Sequence, residues 1–184
     1  MKSEIRKTNK ERRTKMSCEE VAEKSSAAAR LFLESSIYKN ARQIMLYMPL
    51  GNESDTSLIL NAAFNDKKTV LLPVTDAKSG EITAYEVCKD TVFEKGAFSI
   101  QEPQSAKKAD MSKTDVVIVP GIAFSKSGAR VGFGKGCYDR LLAHTDVVKV
   151  GFCYDFQVFE GIIPEEHDVR MDFLVTEKGL FKCE

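Results

Sequence analysis

Short, mostly apolar runs recur along the chain, and longer segments with a helical spacing of apolar positions lie between them. In chain order, strands are predicted over QIMLYMP, TVLLPV, ITAYEV, DVVIVP, VVKVGFCY and FLVT, while residues 89–113 show only a weak pattern. Strands that are apolar throughout are typical of a sheet covered on both faces. Their alternation with helices predicts the α/β class: a single-domain, mainly parallel sheet with helices on both faces, in a Rossmann-like three-layer arrangement.

Four segments predict helices. Residues 2–16 are highly charged and compatible with an exposed helix. The second helix follows Ser17, a candidate N-cap with a glutamate three positions later, which is the pattern of a capping box. The third follows Asp55 or Thr56, either of which can cap it, and the fourth spans residues 137–145.

Composition and charge exclude several classes of protein. The 184 residues fit one domain, residues 1–184, and 27 basic residues balance 27 acidic ones, which argues against a dedicated nucleic-acid binder. We find no apolar run long enough for a membrane span and no apolar segment typical of a signal peptide. Five cysteines without zinc or CxxC spacing indicate reduced thiols, and the two histidines, His144 and His167, are interpreted as structural or solvated. We expect a cytoplasmic monomer that binds neither nucleic acid nor membranes.

The most informative segment is GARVGFGKGCYDR, residues 128–140, between a predicted strand and a predicted helix. Glycines allow backbone N–H groups to approach an anion, and Arg130 and Lys135 add full positive charges. The segment is not a Walker A loop, because five residues separate Gly128 from Gly134, and it does not complete the Rossmann fingerprint. A phosphate-binding loop is predicted, with a glycine-rich surface turn as the alternative.

Three polar features follow predicted strands directly. Asn52-Glu53 comes after the first strand, the glycine-rich segment after the strand that ends at Pro120, and residues 154–157 after the strand that ends near Cys153. Ligands of open α/β sheets collect beyond the carboxyl ends of the strands. The sequence therefore predicts one composite site at this edge.

These segments together resemble the 5-formyltetrahydrofolate cyclo-ligase family, also called 5,10-methenyltetrahydrofolate synthetase. The similarity runs almost the full length, through the N-terminal K-x-x-x-R, YMPLGNESDT, the Glu-Pro at 102–103, VPGIAFSKSGARVGFGKGCYDR, Gln157 and IIPEEHDVRMDFLVTE. It implies a compact α/β fold and ATP- and magnesium-dependent cyclisation of 5-formyltetrahydrofolate to 5,10-methenyltetrahydrofolate, with release of ADP and phosphate. It further implies phosphorylation of the formyl oxygen and attack by N10.

The resemblance also implies residue roles. Arg130 and Lys135 would be catalytic through charge neutralisation, and Asp139 and Asp172 would hold Mg²⁺. The implied ATP-binding residues are Lys2, Ser3, Glu4, Ile5, Arg6, Arg130, Val131, Gly132, Phe133, Gly134, Lys135, Gly136, Cys137 and Tyr138. The implied folate-binding residues are Met48, Glu53, Phe133, Gly134, Lys135, Gly136 and Cys137. Cys137 departs from the family pattern, which commonly has an aromatic residue there.

Simpler roles exist for several of these residues. An acid such as Asp139 in the first turn of a helix stabilises that helix by about 0.3–1 kcal/mol without any ligand. Asp172 fits a turn or a salt bridge, Glu53 fits helix-cap chemistry, and Met48 fits the core. Two rival functions also remain: a different enzyme class on a similar fold, such as a sugar-phosphate isomerase or acyl-CoA transferase, and a non-catalytic nucleotide- or folate-binding protein.

Overall fold

The computed structural model describes residues 2–96, 100–104, 106–143 and 145–184, so His144 lies outside the described residues. The helices within these ranges are α1 (Lys2–Thr14), α2 (Cys18–Glu34), α3 (Ser36–Asn40), α4 (Ser57–Asn65) and α5 (Cys137–Leu142). The strands are β1 (Gln43–Met45), β2 (Thr69–Thr75), β3 (Ile82–Val87), β4 (Phe93–Lys95), β5 (Gln101–Pro103), β6 (Lys107–Lys108), β7 (Val116–Val119), β8 (Ala123–Phe124), β9 (Arg130–Val131), β10 (Val148–Phe152), β11 (Phe173–Thr176) and β12 (Gly179–Lys182).

The main sheet has the strand order β12-β11-β10-β7-β1-β2-β3-β6. Its centre is parallel, since β2, β1, β7, β10 and β11 pair in the same direction. Antiparallel strands flank it on both sides, because β3 follows β2, and β12 follows β11, as hairpins. The prediction of a mainly parallel α/β sheet is confirmed.

Alternate residues of the central strands face two different apolar layers. Ile44 and Leu46 pack with α2, α3 and α4, whereas Met45 packs on the opposite face with the layer that contains α5. Phe32 of α2 is fully buried against the sheet. Each fully buried side chain of this size stabilises the fold by about 1.5–3 kcal/mol. The three layers therefore follow from the apolar runs themselves.

Local sequence signals determine where some of the helices begin and end. The Ser17 side chain accepts a hydrogen bond from Glu20 N, and the Glu20 side chain accepts one from Ser17 N, so the predicted capping box starts α2. α5 is shorter than predicted and ends at Leu142. Thr56 lies at the N-cap of α4, but its hydroxyl donates to Tyr47 O and makes no cap bond.

The parallel strands bring three segments to one edge of the sheet. Chain segments leave the carboxyl ends of β1, β2 and β7 and line a common cavity. α1 lies across this edge and packs near β8. Within the described ranges, none of the helices has the length and apolar character that a membrane span requires.

Candidate active site

A cavity of about 500 Å³ opens beyond the carboxyl ends of β1, β2 and β7. Most of the predicted site residues line it: Lys2, Arg6, Met48, Glu53, Arg130, Gly132, Phe133, Gly134, Lys135, Gly136, Cys137, Tyr138 and Asp139. Ser3, Glu4, Ile5, Val131 and Asp172 are not among the lining residues. The cavity therefore brings the predicted nucleotide and folate segments together.

The glycine-rich segment is held by a small hairpin that the sequence pattern did not predict. β8 and β9 pair antiparallel, with Ala123 opposite Val131 and Phe124 opposite Arg130. Gly128 in the turn has a φ of +80°, and a side chain there would collide with the backbone of Met171. Glycine at this position allows the hairpin to lie against the segment before β11, which fixes where Arg130 points.

Arg130 is a buried cation beside the cavity. Its Nη2 donates to Asp139 Oδ2 at 2.8 Å and its Nη1 donates to Pro120 O at 3.4 Å, so it links the end of β7 to α5. Its exposed fraction is 8%, and its Nε has no hydrogen-bond partner among the described residues. A buried guanidinium held in this position is suited to an anion in the cavity.

The loop between β9 and α5 forms part of the cavity wall. Gly136, with a φ of +63°, is the N-cap of α5, and Lys135 is exposed at the cavity wall. Arg140 anchors the loop, since its Nη1 donates to Lys135 O and its Nη2 donates to Gly80 O in the β2–β3 turn. Sequence reasoning missed Arg140, because its partner lies sixty residues away.

One face of α1 supplies polar groups to this edge. Lys2 Nζ donates to Asp168 Oδ2 at 2.7 Å and to Glu165 Oε1 at 2.8 Å, and Arg6 Nε donates to Gly132 O at 2.9 Å. Burial opposes the positive charge of Lys2, but its two carboxylate partners outweigh burial and raise its pKa. The N-terminal cations predicted from K-x-x-x-R are therefore ordered at the cavity.

Glu53 is a buried acid at another part of the same cavity. Its exposed fraction is 6%, and its Oε2 accepts a hydrogen bond from Leu50 N at 3.0 Å. Burial raises the pKa of Glu53, while Arg13 and the Leu50 N–H act in the opposite direction. Met48 lies nearby as a partly buried residue that both lines the cavity and packs against the core.

Two aspartates, Asp139 and Asp168, contribute to the lining of the cavity. Asp139 Oδ1 accepts a hydrogen bond at 3.2 Å from the N–H of Val169, the residue after Asp168. Burial opposes ionisation of Asp168, but the bonds from Lys2 and Glu165 N outweigh it and lower its pKa. Asp168 was not among the predicted site residues.

Asp172 lies elsewhere. Its carboxylate accepts a hydrogen bond from Lys149 N at 2.7 Å, and it directly precedes β11, at the amino ends of the parallel strands. The cavity is at the carboxyl ends, so the structure does not bring Asp172 together with Asp139. The sequence did contain a signal for this placement. Asp172 comes immediately before a predicted strand, so it lies at the amino end of the sheet, whereas ligands of such sheets bind at the carboxyl end.

Residues 154–157, the third predicted feature, support the site from behind. The Gln157 side chain is buried, donates to Gly121 O and Ile122 O, and accepts from Tyr154 N. Neither Tyr154 nor Gln157 lines the cavity. Two of the three predicted features therefore meet at the cavity, and the third holds the connection between β7 and β8.

Comparison with known proteins identifies the family of the chain. The model of the "5-formyltetrahydrofolate cyclo-ligase family" matches residues 1–177. The 5-formyltetrahydrofolate cyclo-ligase of Escherichia coli K12 is 27% identical, over 94% of this chain and 98% of the relative. That of Mycolicibacterium smegmatis is 29% identical, over 87% of this chain and 86% of the relative.

A solved structure supports the same assignment. The NMR structure of 5,10-methenyltetrahydrofolate synthetase from Aquifex aeolicus is 34% identical, with a TM-score of 0.87 over 100% of this chain and 93% of the other. The synthetase from Mycoplasma pneumoniae, at 22% identity and a TM-score of 0.77 over 96% and 98%, shows the same fold. The chain is a ligase and belongs to the 5-formyltetrahydrofolate cyclo-ligase family.

Proposed function

We propose that this chain catalyses the ATP- and magnesium-dependent cyclisation of 5-formyltetrahydrofolate to 5,10-methenyltetrahydrofolate, with release of ADP and phosphate. The main support is that one cavity holds both a cationic glycine-rich loop and the buried carboxylate Glu53. The loop is suited to a triphosphate, and the carboxylate is suited to the N–H edge of a pterin. A single-substrate enzyme would not need both.

The proposed chemistry explains why two substrates share the cavity. The N5-formyl oxygen is a poor leaving group, so it first attacks the γ-phosphate of ATP, which turns it into a phosphate ester and releases ADP. N10 then adds to the activated carbon and closes the ring, N10 loses its proton to solvent, and the C–O bond breaks to release phosphate. Phosphoryl transfer depends mainly on positioning and on neutralising charge in the transition state.

The cations of the site are suited to that neutralisation. Arg130 is held by Asp139 and Pro120 O, so its position is fixed before a ligand enters. Lys135 and the glycines of the loop line the same cavity, as do Lys2 and Arg6 of α1. We assign Arg130 and Lys135 to charge neutralisation, and residues 2–6 and 130–138 to ATP.

Magnesium fits the acidic end of the cavity. Mg²⁺ takes oxygen ligands, typically one or two carboxylates together with phosphates and waters. Within the described residues there is no group of three or more His, Cys, Asp or Glu side chains arranged to hold a metal. Asp139 and Asp168 both line the cavity, and Asp139 accepts a hydrogen bond from the N–H of Val169, the residue after Asp168. We propose that these two carboxylates hold the ion in place of the predicted pair, Asp139 and Asp172. The bound ion would neutralise phosphate charge.

The folate is assigned to the other end. The Glu53 carboxylate can accept hydrogen bonds from the pterin N–H groups, and Met48 and Cys137 offer apolar surface. Cys137 is half-buried and packs against the core beneath α5. Phe133, 48% exposed between two glycines, offers an aromatic face to either substrate.

The remaining expectations concern the setting of the enzyme. All five cysteines are free thiols, which supports a reducing compartment. We propose a cytoplasmic monomer with one cyclo-ligase domain over residues 1–184, acting on small molecules and not on nucleic acid or membranes.

The deciding experiment mixes the protein with 5-formyltetrahydrofolate, ATP and Mg²⁺ and follows the absorbance of the methenyl product. We expect product only when both ATP and Mg²⁺ are present, with one ADP formed per product. Lys135→Ala should reduce the rate, whereas Lys126→Ala, in the β8–β9 turn outside the cavity, should not. Binding of both ligands without product would instead indicate a non-catalytic binding protein, and binding of neither would indicate a different enzyme class.

A further inference from the structure

Arg13, at the C-terminal end of α1, makes an ion pair with Glu53 that no assigned role accounts for. We propose that Arg13 is a positioning residue, which holds the Glu53 carboxylate charged and oriented for the pterin of the folate. This inference rests on the proposed function. It assigns Arg13 no direct contact with either substrate.

The geometry of the pair is that of a buried, oriented contact. Arg13 Nη1 lies 3.5 Å from Glu53 Oε1, and the two side chains are 9% and 6% exposed. The other carboxylate oxygen, Oε2, accepts from Leu50 N. Each oxygen of Glu53 therefore has one protein donor, and the remaining lone pairs are available to a ligand.

A second contact fixes the register of this pair. Asn52, next to Glu53, donates from Nδ2 to Arg13 O at 2.8 Å and to Met16 O at 3.0 Å. The loop that carries Glu53 thus binds the C-terminal end of α1 through Asn52, and the Arg13 side chain binds the loop through Glu53. The two segments are joined in both directions, so Glu53 has little freedom to rotate away.

Stability alone is a weak reason for such a pair. Two charges buried together lose hydration, and apolar residues of similar volume often stabilise a fold equally well. The pair is next to the cavity, where a carboxylate must stay available as an acceptor. A positioning role therefore explains both its burial and its location.

The electrostatic surroundings of Glu53 support this role. Burial favours the neutral form of Glu53 and raises its pKa, and Arg13 is the cation that opposes this. The other titratable groups that interact with Glu53 are Tyr47, after β1, and Tyr138, of α5. Burial raises the pKa of both tyrosines, so neither is charged near neutral pH. Arg13 is then the cation that favours the ionised form of Glu53 against the effect of burial.

Two further contacts hold the rest of α1 at the edge of the cavity. Asn9 is buried and donates to Ile122 O at 2.9 Å, which docks the middle of α1 onto the segment before β8. Arg6 binds the glycine-rich loop from the same face of α1. One helix therefore holds the nucleotide loop and the folate carboxylate in a fixed relation.

The test is a double-mutant cycle on the dissociation constant of 5-formyltetrahydrofolate, measured calorimetrically without ATP. Arg13→Met should weaken binding by about tenfold, the scale of coupling between residues in contact, and Arg13→Lys should recover part of the loss. Arg12→Met is the matched control, because Arg12 is the exposed neighbour that lies over Phe156, and it should leave the constant unchanged. In Glu53→Gln, the added Arg13→Met should have less than about a twofold further effect.

Acidification gives an independent readout. If Arg13 keeps Glu53 charged, binding by Arg13→Met should weaken on acidification at a higher pH than binding by the unmodified chain, and Glu53→Gln should abolish the difference. ADP affinity and the unfolding midpoint verify that each variant retains its fold. If Arg13→Met does not fold, Arg13→Lys takes its place in the cycle, with a smaller expected loss that again disappears in Glu53→Gln.

Two results would overturn the proposal. An equal loss from replacing Arg13 in the presence and absence of Glu53 would show that Arg13 contacts the substrate itself, and unchanged affinity would show a merely structural pair. Failure of the unmodified chain to bind 5-formyltetrahydrofolate would instead contradict the proposed function. The two failures are therefore distinguishable.

Discussion

Arg130 and Asp139 join the two ends of the glycine-rich loop, with 2.8 Å between Nη2 and Oδ2. Arg130 lies on β9 and Asp139 in the first turn of α5, so their pair closes the loop around its backbone N–H groups. Both side chains are largely buried, at 6% and 16% exposed. The loop is therefore held in a defined shape by its own charges.

Arg130→Lys should keep the positive charge but lose the planar guanidinium, whose two Nη atoms bind Asp139 and Pro120 O at the same time. We expect kcat/KM for ATP to fall by about 100-fold, the scale for removing a donor to a developing charge. The free energy of unfolding should fall by about 1–2 kcal/mol. Steady-state kinetics and urea unfolding measure the two effects, and Arg170→Lys, at an exposed position, is the control. Unchanged kinetics would remove Arg130 from the catalytic residues.

The metal assignment is tested by three separate Asp→Asn variants. Asp139→Asn and Asp168→Asn should raise the Mg²⁺ concentration for half-maximal rate by about tenfold or more, because each removes a charged oxygen ligand. Asp172→Asn should leave this concentration unchanged and cost about 0.5–1.5 kcal/mol of stability, through its bond to Lys149 N. Binding of Mn²⁺, followed by electron paramagnetic resonance, gives a readout apart from activity. An effect of Asp172→Asn on metal affinity would restore the original assignment.

Gln157→Leu should destabilise the protein although Gln157 does not line the cavity. The change removes three buried hydrogen bonds of the side chain, which join it to Tyr154 N, Gly121 O and Ile122 O. We expect the free energy of unfolding to fall by about 2–4 kcal/mol. Urea unfolding measures this loss, with exposed Gln104→Leu as the control. A change below about 0.5 kcal/mol would show that water replaces the side chain without cost.

Apolar runs were sufficient to predict the central strands of the sheet, because burial on both faces leaves few polar positions in a strand. FLVT became β11 and TVLLPV became most of β2. The hairpin of β8 and β9 was not predicted, since two-residue strands inside a glycine-rich segment have no periodicity. β12 was missed for a similar reason, as GLFK is short and partly exposed at the edge of the sheet.

The site residues also fall into those that the sequence predicts and those that it does not. Residues inside one motif, such as Arg130 and Lys135, could be predicted because their spacing is local. Asp168, Arg140 and Arg13 depend on partners distant in sequence, and nothing in their own segments indicates those partners. Pairings of this kind arise from the topology of the sheet.

Cys137→Tyr should be tolerated, because Cys137 lies at the cavity wall and is only half-buried. Its closest charged neighbour, Arg140, has Nη2 at 3.9 Å from Sγ and can shift as a flexible side chain. We expect the free energy of unfolding to change by less than about 1 kcal/mol, since the position lines the cavity and the larger ring can extend along its wall. Folate affinity should stay equal or improve through stacking. Loss of folded protein, seen by circular dichroism, would show that Cys137 is confined by the core.

Glu53→Gln should weaken folate binding far more than nucleotide binding, because only the end of the cavity that we propose for the pterin loses its charged acceptor. A loss of about tenfold or more in folate affinity, against less than twofold for ADP, is expected for a hydrogen bond to a charged group. Calorimetric titration of each ligand separates the two. Equal losses for both ligands would contradict a pterin contact at Glu53.

The pH dependence of stability gives a last check on Glu53. Its pKa is raised in the folded protein, so the folded state binds this proton more tightly than the unfolded chain does. The contribution of Glu53 to the free energy of unfolding is therefore full below its ordinary pKa of 4.5 and is lost as pH rises through the raised value. Glu53→Gln carries no such proton, so the difference in stability between the two proteins should shift in favour of Gln as pH rises from 4 to 7. Urea unfolding across this range measures the difference, and a constant value would show that burial of Glu53 does not perturb its titration.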